Sequence, residues 1–136
     1  MQSPDWEAAL DATFPAQPSQ VSAIRRAVAE IARQRGAPPH TLVQIKLAVS
    51  EAATNAVQHA YRDGAMARAG DVRVVVHAKD ASCLDIRVRD HGVGPLPRRD
   101  SPGLGLGLGL MAHDADDFEI RALPGGGTEV VLRFAL

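Results

Sequence analysis

The sequence has little of several features that mark common classes of protein. Its one cysteine, Cys83, cannot form an internal disulfide bond. Aromatic residues make up only 4% of the chain and the formal net charge is -1, so neither base-stacking platforms nor a basic groove for nucleic acid are indicated. The chain also lacks a run of about 18 apolar residues and a charged-then-apolar leader. These absences predict a cytoplasmic protein with no membrane contact and no direct contact with nucleic acid.

The length and the apolar periodicity predict a single domain. A chain of 136 residues buries roughly two-thirds of the surface that it exposes when unfolded. We therefore expect residues 1–136 to form one unit, with residues 1–14 as an N-terminal strand or arm. Apolar residues at helical spacing predict one helix from Val21 that Gly36 ends, and a longer one from Pro38-Pro39 to about Tyr61.

The rest of the chain alternates apolar and polar residues in a way that predicts strands. Two such runs occupy residues 72–79 and 84–89, and two more, residues 117–122 and 128–134, flank a glycine-rich turn. The first two strands should each have one wet face, so helices should cover the other face only. The predicted fold is an α+β two-layer sandwich with a mixed, mostly antiparallel sheet and helices on one face. This pattern argues against a doubly wound nucleotide-binding fold.

Two glycine patterns indicate a ligand, and neither contains the lysine of a Walker phosphate loop. The first is Asp90-His91-Gly92-Val93-Gly94, which follows a predicted strand, and the second is the run GLGLGLGL at residues 103–110. An aspartate can accept a hydrogen bond from the exocyclic amine of adenine, while glycines let the backbone approach the base. Taken singly, a turn aspartate and a plain glycine hinge remain the simpler interpretations.

The second predicted helix carries a polar stripe. Glu51, Asn55 and His59 are spaced by four residues and therefore share one face. A carboxylate there can accept a proton from a hydroxyl group, and an amide oxygen can bind Mg²⁺. A solvated helix face is the alternative. Thr128 likewise has two interpretations, since it either favours the strand or directs its hydroxyl group to a base.

These motifs in their order resemble the N box and the three glycine boxes of the GHKL ATPase superfamily. The boxes are Glu51-x-x-x-Asn55, Asp90-x-Gly92-x-Gly94, Gly105-Leu106-Gly107-Leu108 and Gly127-Thr128. The segment LAVSEAATNAVQHAY at residues 47–61 is similar to the corresponding helix of the anti-sigma factor serine/threonine kinases. The resemblance runs from about Phe14 to the C-terminus. It implies a Bergerat fold, the histidine-kinase-like ATPase fold, with ATP and Mg²⁺ between the helical layer and a lid.

The resemblance also implies roles by position. Glu51 would be the general base, Asn55 the Mg²⁺ ligand, and Asp90 the partner of the adenine amine. The other implied cofactor-binding residues are Gly92 and Gly94 at the adenine pocket, Gly105 and Gly107 at the phosphates, and Thr128 near the base. Extra Gly-Leu units leave Gly103 and Gly109 as alternatives for the phosphate positions. The short lid, residues 95–102, supplies Arg98 and Arg99, which could steady the transferred phosphate or remain solvated.

The function that this resemblance implies is that of an ATP-dependent protein serine/threonine kinase of the anti-sigma factor type. Such a protein phosphorylates a STAS-domain anti-sigma factor antagonist and sequesters a sigma factor, and it could also pair with a second copy of itself. The alternative is a non-catalytic ATP-binding regulatory module that binds a protein partner without phosphoryl transfer. A sensor histidine kinase is disfavoured, because the chain before Pro15 is too short for a phosphoacceptor helix pair.

Overall fold

The computed structural model describes residues 6–62, 70–79, 82–91 and 114–136, with the side chains of residues 59–62 outside that description. Two helices lie on one face of a five-stranded sheet. A 3-10 turn, Pro18–Gln20, precedes the helices, which are α1 (Val21–Gln34) and α2 (Pro39–Arg62). The strands are β1 (Glu7–Pro15), β2 (Asp71–Lys79), β3 (Cys83–Asp90), β4 (Asp117–Ala122) and β5 (Thr128–Ala135).

The strand order is β1-β2-β3-β5-β4, and every described pairing is antiparallel. The predicted two-layer α+β sandwich is therefore confirmed. The N-terminal segment that the sequence left as a strand or an arm contains β1, which pairs with β2 at one edge of the sheet. Within the described part of the chain, no helix is both long and apolar enough to cross a membrane.

Local chemistry explains where the helices begin and end. Helix α1 stops just before Gly36, which has a φ of 86° that a residue with a side chain rarely adopts. Helix α2 begins at Pro39, where the missing backbone N–H group leaves no hydrogen bond unmade. The predicted ends at Gly36 and about Tyr61 differ from the observed ends by one or two residues.

The core lies between the two layers and follows the alternation of the strands. It takes Val74 and Val76 from β2, and Ile86 and Val88 from β3, together with α1 and α2 side chains such as Ile24, Val28, Ala52 and Ala56. Successive side chains on a strand point to opposite faces. Asp90 follows Val88 by two residues and therefore faces the helical layer, as does Thr128, two residues before the core residue Val130.

The outer face of the sheet differs from the expected wet face. Asp85 and Glu129 point outward by strand alternation, yet both are buried. Asp85 accepts hydrogen bonds from Arg87 Nε and Arg133 Nε, each 2.8 Å long, and Glu129 accepts one of 2.6 Å from Arg89 Nε. The prediction of a wet face is wrong at Asp85, because arginine side chains lie over this acid, and Glu129 on β5 is covered in the same way.

Paired arginines also decide the charge state of Asp85. Burial raises the pKa of this carboxyl group, but the hydrogen bonds from Arg87 and Arg133 outweigh burial and hold the pKa below its ordinary value of 3.8. The hydrogen bond from Arg133 to Asp85 raises the pKa of Arg133, and the hydrogen bond to Asp117 raises it by a smaller amount. Asp85 and Arg133 therefore remain charged at neutral pH.

Candidate functional site

Asp90 and Thr128 form the first part of the candidate site. They are direct cross-strand partners at the end of β3 and the beginning of β5. Only 3% of Asp90 and 2% of Thr128 is exposed, and both face the helices. Asp90 is thus a buried strand-end residue, which does not fit an ordinary exposed turn aspartate. The register joins a carboxylate and a hydroxyl group whose positions are far apart in the sequence.

The hydroxyl group of Thr128 is buried, and Oγ1 has no hydrogen-bond partner among the residues that the structure describes. A buried polar atom left without a partner costs about 1–3 kcal/mol. A ligand that hydrogen-bonds to this atom would recover that cost. Thr128 thus differs from an ordinary strand threonine, because its hydroxyl group is buried and has no partner in the described part of the chain.

Gly127 explains how the turn before β5 fits against the end of β3. Its φ is 99°, and a Cβ atom built on it would lie 2.1 Å from the carbonyl oxygen of Asp90. The same Cβ would lie 3.0 Å from the Cα of His91. No side chain fits there, so a glycine is required for the close approach. Sequence reasoning paired Gly127 with Thr128 by resemblance but did not find this steric requirement.

Helix α2 supplies the second part of the site. Glu51 and Asn55 are four residues apart on one side of the helix, and α2 packs against β2, β3 and β5. Glu51 is half-buried, whereas only 5% of Asn55 is exposed. Asn55 Nδ2 has no hydrogen-bond partner in the described part of the chain. The alternative of a solvated helix face is wrong at Asn55.

The four side chains offer distinct chemistry on the helical side of the sheet. Asp90 and Thr128 can hydrogen-bond to the edge of a base, Asn55 can give an amide oxygen to a cation, and Glu51 can accept a proton. No cluster of three or more His, Cys, Asp or Glu side chains suited to a metal occurs among residues 6–58, 70–79, 82–91 and 114–136. Mg²⁺ does not require one, since it is commonly held by one or two protein ligands together with substrate phosphates.

Several predicted site residues lie outside the described residues. They are the glycines and arginines between the end of β3 and the beginning of β4, namely Gly92, Gly94, Arg98, Arg99, Gly105 and Gly107. The side chain of His59, the third member of the polar stripe, is also outside them. The structure thus brings together Asp90 and Thr128 on the sheet, and Glu51 and Asn55 on the helix.

The fold, two helices on one face of a five-stranded antiparallel sheet, is that of a class of ATPase domain. The histidine kinase-like ATPase domain family matches residues 14–134, which include all four side chains. The chain belongs to this family. Membership implies that the chain uses ATP.

Relatives with names are found among the anti-sigma factors and serine-protein kinases. The chain is 38% identical to the anti-sigma F factor of Pasteuria penetrans over 117 residues, which cover 78% of this chain and 76% of that protein. It is 33% identical to the serine-protein kinase RsbW of Bacillus licheniformis over 126 residues, which cover 82% of this chain and 77% of that protein. These relatives match the resemblance that the sequence motifs indicate.

Solved structures support the same fold. The histidine kinase domain of the blue-light activated histidine kinase EL346 from Erythrobacter litoralis has a TM-score of 0.60 and 28% identity, over 90% of this chain and 62% of that one. The RsbU and RsbW domains of Rv1364c from Mycobacterium tuberculosis give a TM-score of 0.70 over 92% of this chain and 31% of that one. At 23% identity, this second likeness shows the fold alone.

Proposed function

We propose that this chain is an ATP-dependent protein serine/threonine kinase that phosphorylates a STAS-domain anti-sigma factor antagonist and sequesters a sigma factor. One observation carries the nucleotide part of the proposal: Thr128 Oγ1, directly across the sheet from Asp90, is buried and lacks a partner among the described residues. The names of the relatives support the kinase and anti-sigma parts. ATP and sigma factors both occur inside the cell, so we place this activity in the cytoplasm.

In the proposed site, the adenine would bind at the sheet and the phosphates would lie toward α2. Asp90 accepts a hydrogen bond from the exocyclic amine, and Thr128 bonds to the base edge. By resemblance, Asn55 would hold Mg²⁺ through its amide oxygen, and the cation would offset the charge of the phosphates. By resemblance, the adenine pocket would include Gly92 and Gly94, and the phosphates would contact Gly105, Gly107, Arg98 and Arg99.

Glu51 is the proposed general base. It accepts the proton of the acceptor serine or threonine as the hydroxyl oxygen forms a bond to the γ-phosphorus of ATP. The bond between the γ-phosphorus and the bridging oxygen breaks, and ADP leaves. The products are ADP, a phosphorylated side chain and a protonated Glu51, which returns its proton to water. A half-buried carboxylate suits this role, because it must reach a protein substrate from solvent.

Transfer of labelled phosphate tests the proposal. The purified chain is incubated with γ-labelled ATP, Mg²⁺ and each STAS-domain protein of its source organism. We expect one of these proteins to be labelled by the wild type and not by Glu51→Ala, which should still bind ATP. Glu119→Ala is the matched control, because it removes an exposed acid on β4, and it should label at the wild-type rate.

Two results would redirect the proposal. If Glu51→Ala labels the antagonist at the wild-type rate, Glu51 is not the base. If the wild type binds ATP and labels no STAS-domain protein, the chain is a non-catalytic regulatory module instead of a kinase.

A further inference from the structure

Helix α2 exposes two large apolar side chains to water. Val43 is 56% exposed and Leu47 is 52% exposed, and no other large apolar residue in the described part of the chain is exposed to this degree. They lie four residues apart, and Glu51 and Asn55 follow at the same spacing. Residues four apart share one side of a helix. The stripe that carries the proposed base therefore continues upstream as an apolar surface.

The spacing suits the segment that surrounds a phosphoacceptor residue. An α-helix rises 1.5 Å per residue, so Leu47 lies about 6 Å and Val43 about 12 Å from Glu51 along the axis. An extended chain advances about 3.3 Å per residue. A substrate segment whose hydroxyl group reaches Glu51 would place residues about two to four positions away over Leu47 and Val43.

A basic groove borders this apolar surface. It lies between α1 and α2, has a volume of about 320 Å³, and is lined by Arg25, Arg26, Ala29, Glu30, Arg33, Leu42 and Lys46. The lining holds four cations and one acid, although the whole chain has a net charge of -1. The acid, Glu30, already accepts hydrogen bonds from Arg33 and Gln34. The charge of Arg26 and Lys46 therefore favours an acidic occupant.

The groove also reaches the neighbourhood of the proposed base. Arg25 Nη1 donates a hydrogen bond of 3.3 Å to Ser50 Oγ, and Ser50 immediately precedes Glu51. Ser50 Oγ donates to the backbone oxygen of Lys46 at 2.7 Å. The basic groove and the apolar surface of Val43 and Leu47 thus lie on adjacent sides of the same two turns of α2.

We propose that Val43 and Leu47, with the basic groove beside them, dock the phosphoacceptor segment of the protein substrate. The segment that fits has an apolar side chain about two to four residues from the acceptor hydroxyl group, and acidic side chains beside it. This inference rests on the proposed kinase function and adds the features of the substrate that the enzyme recognises. Val43 and Leu47 are specificity residues in this account, since neither has a group that takes part in the transfer.

Steady-state kinetics with the STAS-domain protein that the wild type labels test this inference. Val43→Ser/Leu47→Ser should raise the KM for that protein about tenfold, since serine cannot replace the apolar area that Val43 and Leu47 bury against the bound segment. The value of kcat should change by less than about twofold, because Glu51 and the nucleotide contacts remain. Val43→Ile/Leu47→Met keeps the apolar surface and should restore most of the affinity for the substrate.

Charge reversal provides an independent arm of the test. Lys46→Glu should also raise the KM for the protein substrate, whereas Lys79→Glu at the end of β2 is the matched control and should not. The Kd for ATP should stay at the wild-type value in every variant, and a thermal melt of each variant checks that it is folded.

Three outcomes overturn the docking inference and leave the proposed kinase function in place. The first is a wild-type KM in Val43→Ser/Leu47→Ser. The second is a fall in kcat at unchanged KM in that variant. The third is an equal rise in KM in Val43→Ser/Leu47→Ser and Val43→Ile/Leu47→Met. If the wild type binds a STAS-domain protein without labelling it, the Kd for that protein is measured instead of the KM. The expected ratio of variant to wild type is the same. A wild type that neither binds nor labels any STAS-domain protein overturns the proposed function and the docked segment with it.

Discussion

At the scale of single residues, the site is marked by polar atoms that the described part of the chain does not satisfy. Thr128 Oγ1 and Asn55 Nδ2 are both buried, and burial without a hydrogen bond is unfavourable. Their neighbours Asp90 and Glu51 add two carboxylates. The proposed nucleotide would restore this free energy by supplying the missing hydrogen bonds.

Thr128→Val therefore has opposite effects on stability and binding. Removing the hydroxyl group removes an unpaired buried atom, so the free energy of unfolding without ligand should stay equal or rise by up to about 1 kcal/mol. ATP should bind about five- to tenfold more weakly, because one hydrogen bond is lost. Chemical denaturation and calorimetry measure the two effects. Thr13→Val, at an exposed position of β1, is the control that should change neither. Loss of stability without loss of ATP affinity would make Thr128 a structural residue only.

Gly127→Ala tests the close approach of the turn to β3. The new methyl group would meet the Asp90 carbonyl oxygen, so we expect a loss of about 2–4 kcal/mol in unfolding free energy and weaker ATP binding. Gly125→Ala is a close control, since Gly125 also has a positive φ, 85°, but open space around its Cβ position. The unfolding free energy of Gly125→Ala should fall by only about 1 kcal/mol, because alanine is unfavourable at a positive φ. Equal losses in the two variants would show that the contact with Asp90 is unimportant.

At the scale of elements, the two faces of the sheet differ in what they hold. The helical face carries the core and, at one end, Asp90 and Thr128. The outer face carries charged side chains that pair across β3 and β5, with Asp85 at their centre. The outer face therefore contributes to stability through its ion pairs, while the helical face contributes the site.

Asp85→Asn tests the contribution of the outer face. Asp85 is fully buried and bonds to Arg87 and Arg133, so the variant should lose about 2–4 kcal/mol of unfolding free energy at neutral pH. The exposed pair Asp11 and Arg73 is the control, and Asp11→Asn should cost much less. Urea unfolding curves measure both.

The pH dependence of this effect follows from the pKa of Asp85. The folded protein holds that pKa below 3.8, so the stabilisation is present above 3.8 and is lost as the pH falls through the lower, folded value. The stability difference between the wild type and Asp85→Asn should be constant from neutral pH to about 5 and should shrink below 3.8. A difference that grows as the pH falls would contradict the assignment.

Local patterns in the sequence predict the elements well, because periodicity depends on neighbouring residues only. The beginning of α1 at Val21 and the bounds of β4 agree with the prediction. The burial of Asp85 was not predictable in this way. It depends on the register that places Arg133 directly opposite Asp85, which are 48 residues apart.

The site also depends on contacts between residues that are distant in the sequence. Spacing placed Glu51 and Asn55 on one side of a helix, but the burial of Asn55 depends on how α2 packs on the sheet. The motifs indicated Asp90 and Thr128 separately, whereas their direct pairing follows from the register of β3 and β5. The need for glycine at position 127 follows from a contact with backbone that is distant in the sequence.

At the scale of the whole molecule, the account predicts how the two layers cooperate. In the proposed site, the sheet would contact the base, and α2 would supply the groups that act on the phosphates and on the acceptor. A ligand that spans both layers stabilises the folded chain by mass action. The thermal midpoint should therefore rise with ATP and Mg²⁺ in the wild type, and should rise less in Asn55→Ala. An equal rise in both would contradict the role of Asn55 as the Mg²⁺ ligand.

Isothermal titration of the folded chain with ATP in the presence of Mg²⁺ is the most direct test of the central claim, that the helical face of the sheet binds an adenine nucleotide. The account predicts one site per chain in the wild type. It predicts weaker binding and a smaller preference for ATP over GTP in Asp90→Asn, because the amide replaces the carboxylate that accepts from the adenine amine. The absence of any binding heat with millimolar ATP in the folded wild type would contradict the account.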